Sequence, residues 1–245
     1  MYRNRRITVV IPCLNEEEGI RRMLATLPRF VDEIIVVDNG STDNTPAVAR
    51  GAGALVVTEA HRGYGRAYKA GLAQATGDII VTLDGDHSYP ADALSYLLES
   101  FLRCGVEFLS ASRFPTLDRD AMSLKHRIGN RALSFAMSLL FMRWVHDSQS
   151  GMWIFTRNAL GKMRLVSDGM AFSEEIKIEA ILNREIGFQE IVINYSQRVG
   201  ERKLRPWRDG LANLIFLFRK RFDRLAPIIA GREAQPKAPA RREVA

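Results

Sequence analysis

Cysteine is scarce in this 245-residue chain: there are two, Cys13 and Cys104, far apart in sequence. They have no metal-type spacing, which excludes a disulfide framework and a cysteine zinc site and leaves two reduced, mostly buried thiols as the expectation. No apolar run reaches the roughly 18–20 residues that a bilayer-spanning helix needs. The apolar segment at residues 7–14 is interrupted by Pro12 and followed at once by Asn15-Glu16-Glu17-Glu18. That is too short and wrongly flanked for a signal-peptide core, so it reads as a buried first strand. Walker A is missing, which argues against an ATPase, and no glycine-rich dinucleotide fingerprint follows a strand. Internal repeats are absent as well.

Apolar residues make up 47% of the chain, ample for the core of one α/β domain, and charged residues 26%. Lys and Arg outnumber Asp and Glu by 35 to 28, a formal charge of +7. Such an excess suits a polyanionic partner: nucleic acid, a nucleoside diphosphate or an anionic membrane surface. Along the first hundred residues, strand and helix signals alternate. Apolar β-branched runs at 7–11, 33–37, 54–58, 78–83 and 106–111 predict strands, and helical spacing predicts helices at 16–27, 42–50, 67–75 and 90–103. The second of these helices opens on Thr42-Asp43-Asn44-Thr45-Pro46, a cap with proline in the first turn. The second half predicts helices at 122–145, 173–184 and 209–225, strands at 154–155 and 189–195, and a disordered tail from Gly231.

Continuous apolar strands alternating with helices imply a mostly parallel central sheet covered by helices on both faces. In such sheets ligands bind beyond the carboxyl ends of the strands. The polar clusters fall there: Asn15-Glu16 after the first strand, Asp38 to Asp43 after the second, Asp84-Gly85-Asp86 after the fourth. Two carboxylates flanking a small residue on a turn can converge on Mg²⁺ or Mn²⁺, which also takes diphosphate oxygens and neutralises a departing nucleoside diphosphate. Taken alone, an Asp-x-Asp is more often a solvated turn. Asp38 can accept hydrogen bonds from a ribose or base edge, or simply shape a turn with Asn39-Gly40-Ser41. Gly63-Tyr64-Gly65-Arg66 reads as a flexible basic loop able to approach phosphates. Arg113, His126, Arg127, Arg198, Lys203 and Arg205 sit in loops or at helix starts, where they can grip phosphate oxygens or remain solvated charges.

The ordered series VVIPCLNEEEGI, EIIVVDNGSTDNT, RGYGRAYKAG, GDIIVTLDGD, SRF, HRIGN, DSQSGMW and RVGERKL resembles family-2 glycosyltransferases of the GT-A fold. Within them it is most similar to the dolichol-phosphate mannose synthase and polyprenyl-phosphate glycosyltransferase group. The likeness runs over roughly residues 7–210. It implies a nucleotide-sugar donor pocket lined by Pro12, Asn15 and Glu16, with Asp38 on the base or ribose. Asp84 and Asp86 would bind the metal and diphosphate. Arg113, Arg127, Arg198 and Lys203 would contact donor diphosphate or acceptor phosphate, and Asp147, Ser150 and Gly151 would shape the sugar and acceptor side. Asp86, Arg127, Asp147 and Lys203 are the catalytic candidates. Asn39 departs from the second Asp of many relatives, and Arg202 from a Ser before the Lys, so GDP versus UDP stays open.

A polyprenyl phosphate acceptor is already ionised near pH 7 and needs no strong base, whereas a hydroxyl acceptor needs one, for which Asp147, Glu174 and Glu175 are available. Direct displacement would invert the anomeric centre, as the resemblance also implies. A nucleotide-sugar-binding protein without turnover would leave the carboxylate and basic set unexplained. Nucleic acid is not the expected partner, because the acidic strand-end cluster would repel phosphates. The expected division is a GT-A domain at 1–207, an amphipathic helix at 208–230 that lies on a membrane surface or packs in the core, and a tail at 231–245. The expected location is the cytoplasm, on the membrane's cytoplasmic face.

Overall fold

The computed structural model describes residues 1–115, 118, 121–200 and 206–233, with the side chains of the last helix described from Arg208 to Asp223. The expected tail lies outside the described residues from 234 onward. The first half comprises β1 (Ile7–Cys13), α1 (Glu17–Thr26), β2 (Glu33–Asp38), α2 (Thr45–Gly51), β3 (Leu55–Thr58), α3 (Tyr64–Gln74), β4 (Ile79–Thr82) and α4 (Leu94–Cys104). The second comprises β5 (Phe108–Ser112), α5 (Leu124–Phe141), β6 (Trp153–Thr156), α6 (Arg157–Gly161), α7 (Phe172–Leu182), β7 (Phe188–Val192) and α8 (Pro206–Glu233).

Seven strands form one sheet in the order β3-β2-β1-β4-β6-β5-β7. Strands β3, β2, β1 and β4 are parallel. Strand β6 enters antiparallel to both β4 and β5, and β7 is parallel to β5. Alternation along the strands feeds two cores. Val9, Ile11 and Cys13 pack with Ile20, Met23, Leu97 and Phe101 on one face. Val10, Ile35 and Val37 join Tyr68, Leu72, Trp153 and Phe172 on the other. Because β6 runs against its neighbours, its beginning lies at the rim where the other central strands end. The Trp153 amide accordingly donates to Thr82 Oγ1 at the end of β4.

Helices α5, α7 and α8 share a smaller core of Met137, Phe141, Val145, Ile178 and Leu217. Helix α5 stops earlier than the 122–145 pattern implied, because Met142 turns left-handed with φ 53°. Helix α8 packs by Leu217 and Asn213, while Leu211, Ile215, Phe218 and Phe222 stand exposed along its outer face. Leu124, Ile128, Phe135, Leu139 and Met142 form a similar exposed row on α5 and its cap. No helix among the described residues is long and apolar enough to cross a membrane. Two expectations need correction. Cys104 is exposed at the end of α4 rather than buried, leaving Cys13 as the one thiol in the core. The segment Gly63-Tyr64-Gly65-Arg66 is not a flexible loop: Tyr64 already lies in α3, because Gly65 lets the helix pack tightly against the Ser167 carbonyl and Arg66 pairs with Asp168 at 2.7 Å.

Candidate active site

All the polar clusters noted in the sequence converge on one rim of the sheet. Pro12 lies near the end of β1, paired with Val37 of β2. Asn15 follows with a left-handed backbone, φ 51°, a conformation asparagine tolerates better than most residues. Its Oδ1 accepts from the Thr42 amide at 2.7 Å, and its own amide donates to Ser41 Oγ at 2.9 Å. Asp38, almost fully buried at the end of β2, accepts from the Ser41 amide at 3.0 Å. These bonds shape the β1 and β2 ends into one polar edge. Asn39 turns inward. It donates to the carbonyls of Glu59 and His61 and accepts from the Gly63 amide, clipping the loop before α3. Aspartate could not make the two donations.

Asp84 and Asp86 flank Gly85 just beyond β4. A side chain at Gly85 would collide with Cys13 Sγ at 2.6 Å, and one at Gly19 with the Gly85 carbonyl at 2.5 Å, so two glycines let α1 press directly onto the turn. The turn continues through His87 at φ 58°, a costly backbone conformation for histidine that often marks functional sites. Ser88 holds Asp86 Oδ1 through both its amide and hydroxyl. Asp84 Oδ1 accepts from the hydroxyls of Tyr64 and Tyr68, at 3.1 and 3.2 Å. Gly151 lies so close that a Cβ there would come within 2.9 Å of both Asp84 carboxylate oxygens. Burial pushes the Asp84 carboxyl up to about 6, and the neighbouring charge of Asp86 adds to the rise.

A divalent cation fits this pair: two crowded carboxylates, one of them resisting ionisation, gain from a shared positive charge. No cluster of three or more acidic, His or Cys ligands exists among the described residues, so further oxygens would come from a bound diphosphate and water.

Across the rim, Arg113 follows β5 and forms a buried bidentate pair with Asp147: Nε to Oδ2 at 2.7 Å and Nη2 to Oδ1 at 2.8 Å. The Arg113 and Gln149 amides also donate to this carboxylate. Burial raises the Asp147 carboxyl, but Arg113's charge and hydrogen bonds outweigh it and hold it below the usual range. Asp147 is therefore placed as Arg113's counter-ion and not as an open base. Arg113 also stacks over Tyr195 at 5.4 Å.

Arg198, from the loop after β7, reaches Glu16 at 2.9 Å and Asp86 at 3.5 Å, linking the β1 and β4 turns. Ser150 is fully buried just before β6. Arg127 lies in the first turn of α5, outside the bonded cluster. His126 Nδ1 faces Ser123 Oγ at 2.6 Å at that helix start. Lys203 and Arg205 lie outside the described residues.

Sequence reading missed Tyr64, Tyr68, Tyr89 and Lys177. Tyr64 reads as part of a basic loop and Tyr68 as an ordinary helix residue, and neither hydroxyl signals that it aims at Asp84. Tyr89 Oη accepts from the Gly151 amide at 2.7 Å, fixing the floor beneath Asp84. Lys177 sits in a helix whose residues are buried from Phe172 to Ala180, but among Glu174, Glu175 and Glu179 it gave no signal in the sequence.

The seven-stranded, mostly parallel sheet with an acidic turn at the end of a central strand matches solved glycosyltransferases of the GT-A fold. The chain belongs to glycosyl transferase family 2, whose sequence profile matches residues 8–164. It is 33% identical over 209 residues to the dolichyl-phosphate hexose transferase of Haloferax volcanii, covering 84% of this chain and 90% of that protein. It is 31% identical to the same organism's low-salt glycan biosynthesis hexosyltransferase Agl6, over 86% of this chain but 52% of the relative, about half its length. Among solved structures it is similar to Mycobacterium tuberculosis glucosyl-3-phosphoglycerate synthase crystallised with Mn²⁺, UDP-glucose and phosphoglyceric acid. That likeness has a TM-score of 0.71 and 25% identity, over 89% of this chain and 80% of the other.

Proposed function

We propose that this glycosyltransferase moves a hexose from a nucleoside-diphosphate sugar to a polyprenyl or dolichyl phosphate, with Mg²⁺ or Mn²⁺ and inversion at the anomeric carbon. The relative named as a dolichyl-phosphate hexose transferase supports the lipid-phosphate acceptor. The neighbour solved with Mn²⁺ and UDP-glucose supports the metal and the donor class.

The observation that carries the choice of acceptor is the state of the three carboxylates available as a base. Asp147 is saturated by Arg113 and two amides. Glu175 accepts from the Val166 and Ser167 amides and from Lys220. Glu174 is fully buried, accepts from Gln149, and has its carboxyl raised well above the usual range chiefly by burial. An acceptor that arrives ionised needs none of them.

In this reading Asp38, Asn15, Pro12 and Glu16 receive the nucleotide. Asp84 and Asp86 hold the divalent cation, which when bound neutralises charge on the departing diphosphate. Arg113, oriented by Asp147, together with Arg127, Arg198 and Lys203, places the phosphates in line behind the anomeric carbon. The exposed apolar rows on α5 and α8 fit a protein that rests on a membrane surface to meet a lipid.

The test is nucleoside-diphosphate release with GDP-mannose, UDP-glucose and UDP-N-acetylglucosamine, each with and without undecaprenyl phosphate and Mn²⁺. Release that requires both lipid and metal is expected. Release indifferent to lipid would overturn the acceptor assignment. Asp86→Ala should abolish metal-dependent turnover while the circular dichroism spectrum is kept, and near-normal activity in that variant would remove the metal assignment.

A further inference from the structure

Lys177 stands at the middle of α7 with no exposed surface. Its Nζ donates to three backbone carbonyls, of Asp147 at 2.8 Å and of Ser148 and Ser150 at 3.0 Å. Three acceptors use the three N–H bonds of an ammonium, and all belong to one four-residue stretch. A buried ammonium is expensive, and a methionine would fill the same volume without that cost. What the lysine adds is a fixed conformation for the loop before β6.

That loop connects both sides of the rim. At its start, Asp147 grips Arg113. Just past its end, Gly151 lies beneath Asp84, with its carbonyl held by Thr82 and Tyr68. Charge points the same way. An Arg–Asp pair alone is neutral, and Glu190 beside it adds a formal negative charge; Lys177 offsets that charge, so an incoming phosphate is not repelled. The groups facing Lys177 are Asp147 on the loop, Glu190 from β7, Arg113 after β5, Glu174 on its own helix and the Trp153 ring from β6, 5.9 Å away. Burial raises the Glu174 carboxyl well above its usual range, and Glu190 is turned to the His146 and Asp147 amides and the His146 ring.

We propose that Lys177 is a positioning residue: it fixes the 147–150 loop so that Asp147 presents Arg113 to the acceptor's phosphate, and its charge offsets Glu190 beside that buried pair. The assignment of the phosphate to an acceptor rests on the proposed function; the hold on the loop does not. Burial pulls the ammonium down to about 8, against the opposing pull of Asp147, so its charge is lost in mildly alkaline solution.

The experiment compares wild type, Lys177→Met and Lys177→Arg by acceptor kinetics, nucleotide binding and hydrogen exchange. In Lys177→Met, KM for undecaprenyl phosphate should rise on the order of tenfold or more, while the Kd for nucleoside diphosphate with Mn²⁺ changes less than about threefold. Amide exchange at 148–152 should quicken while β1 and β2 stay protected. Lys177→Arg, which keeps the charge, should recover part of the acceptor affinity. In wild type the acceptor KM should climb above pH 8, and in Lys177→Arg that climb should vanish.

Equal losses of donor and acceptor binding, or an unchanged acceptor KM, would overturn the proposal. If Lys177→Met does not fold, the wild-type and Lys177→Arg pH profiles decide, and a flat wild-type profile through pH 8 rejects it. If wild type transfers to no lipid phosphate, the proposed function falls. Exchange at 148–152 then still judges the hold on the loop, and unchanged exchange in Lys177→Met refutes it.

Discussion

Replacing Asp147 with asparagine tests the buried pair most sharply. The two side chains are nearly isosteric, so the packing volume stays and only the charge and acceptor pattern change. In the native protein the carboxylate accepts four hydrogen bonds, two from the Arg113 side chain. The substituted amide would turn an NH₂ group toward donors and leave the Arg113 guanidinium buried without its counter-ion. Breaking a buried pair from one side costs about 3–5 kcal/mol. For a chain of this size each kcal/mol moves Tm by about 2–4 °C, so the fall should be about 6–20 °C. The pH dependence has a definite sign. The folded pKa of Asp147 is depressed, so its stabilisation is fully present above the ordinary carboxylate value near 4 and is lost as pH falls through the folded value. Thermal unfolding by calorimetry at pH 7 therefore sees the whole effect. The double variant Arg113→Met with Asp147→Leu should recover much of the loss, because an apolar pair leaves no orphaned charge. A Tm fall below about 2 °C in Asp147→Asn, or a double variant as unstable as the summed singles, would refute the reasoning.

Asp84, whose carboxyl is shifted upward instead, gives a second pH signature. With its carboxyl near 6, protonation below that value competes with a cation, so Mn²⁺ affinity should drop about tenfold per unit as pH falls below 6; affinity flat between pH 7 and 5 would exclude Asp84 from the metal site. Asn39→Asp removes two donations to buried loop carbonyls and should cost about 1–3 kcal/mol in urea unfolding, with no gain in nucleotide affinity. Phe218→Ser with Phe222→Ser on α8 should weaken co-sedimentation with anionic vesicles more than about tenfold at unchanged helicity; retained binding would reject the membrane face.

Much of this protein was legible before any coordinates. The β-branched runs gave β1 to β4 within a residue or two, and the polar clusters at their ends pointed to the rim where they converge, because parallel strands deliver their carboxyl ends to one edge. The hidden features depend on pairing across distance. That β6 runs antiparallel cannot be read from Trp153–Thr156, whose apolar run fits either direction. The Arg113–Asp147 pair spans 34 positions with no local trace, so Asp147 reads as a residue of the sugar and acceptor side, with a base role left open, rather than as a counter-ion. Asn39 read as a variant of a nucleotide contact, whereas its amide is spent on the Glu59 to Gly63 loop. Lys177 lies among Glu174, Glu175 and Glu179, so it gives no sign of its role until the loop's carbonyls are in place.

The reversed strand also sets a schedule for biosynthesis. Strands β1 to β4 are complete once Thr82 has emerged, and they can pair among themselves. The free edge of β4 must then wait for β6, since β5, though made earlier, pairs only with β6 and β7. From Thr82 to Thr156 is 156 − 82 = 74 residues. At roughly 5–20 residues per second, the edge formed by Ile79-Ile80-Val81-Thr82 stays open for about 4–15 s on every ribosome. An apolar, β-branched edge is a template for wrong pairing during that interval. The strand whose reversal brings Ser150 and Gly151 to the rim is thus also the one that ends the nascent chain's exposure to its neighbours.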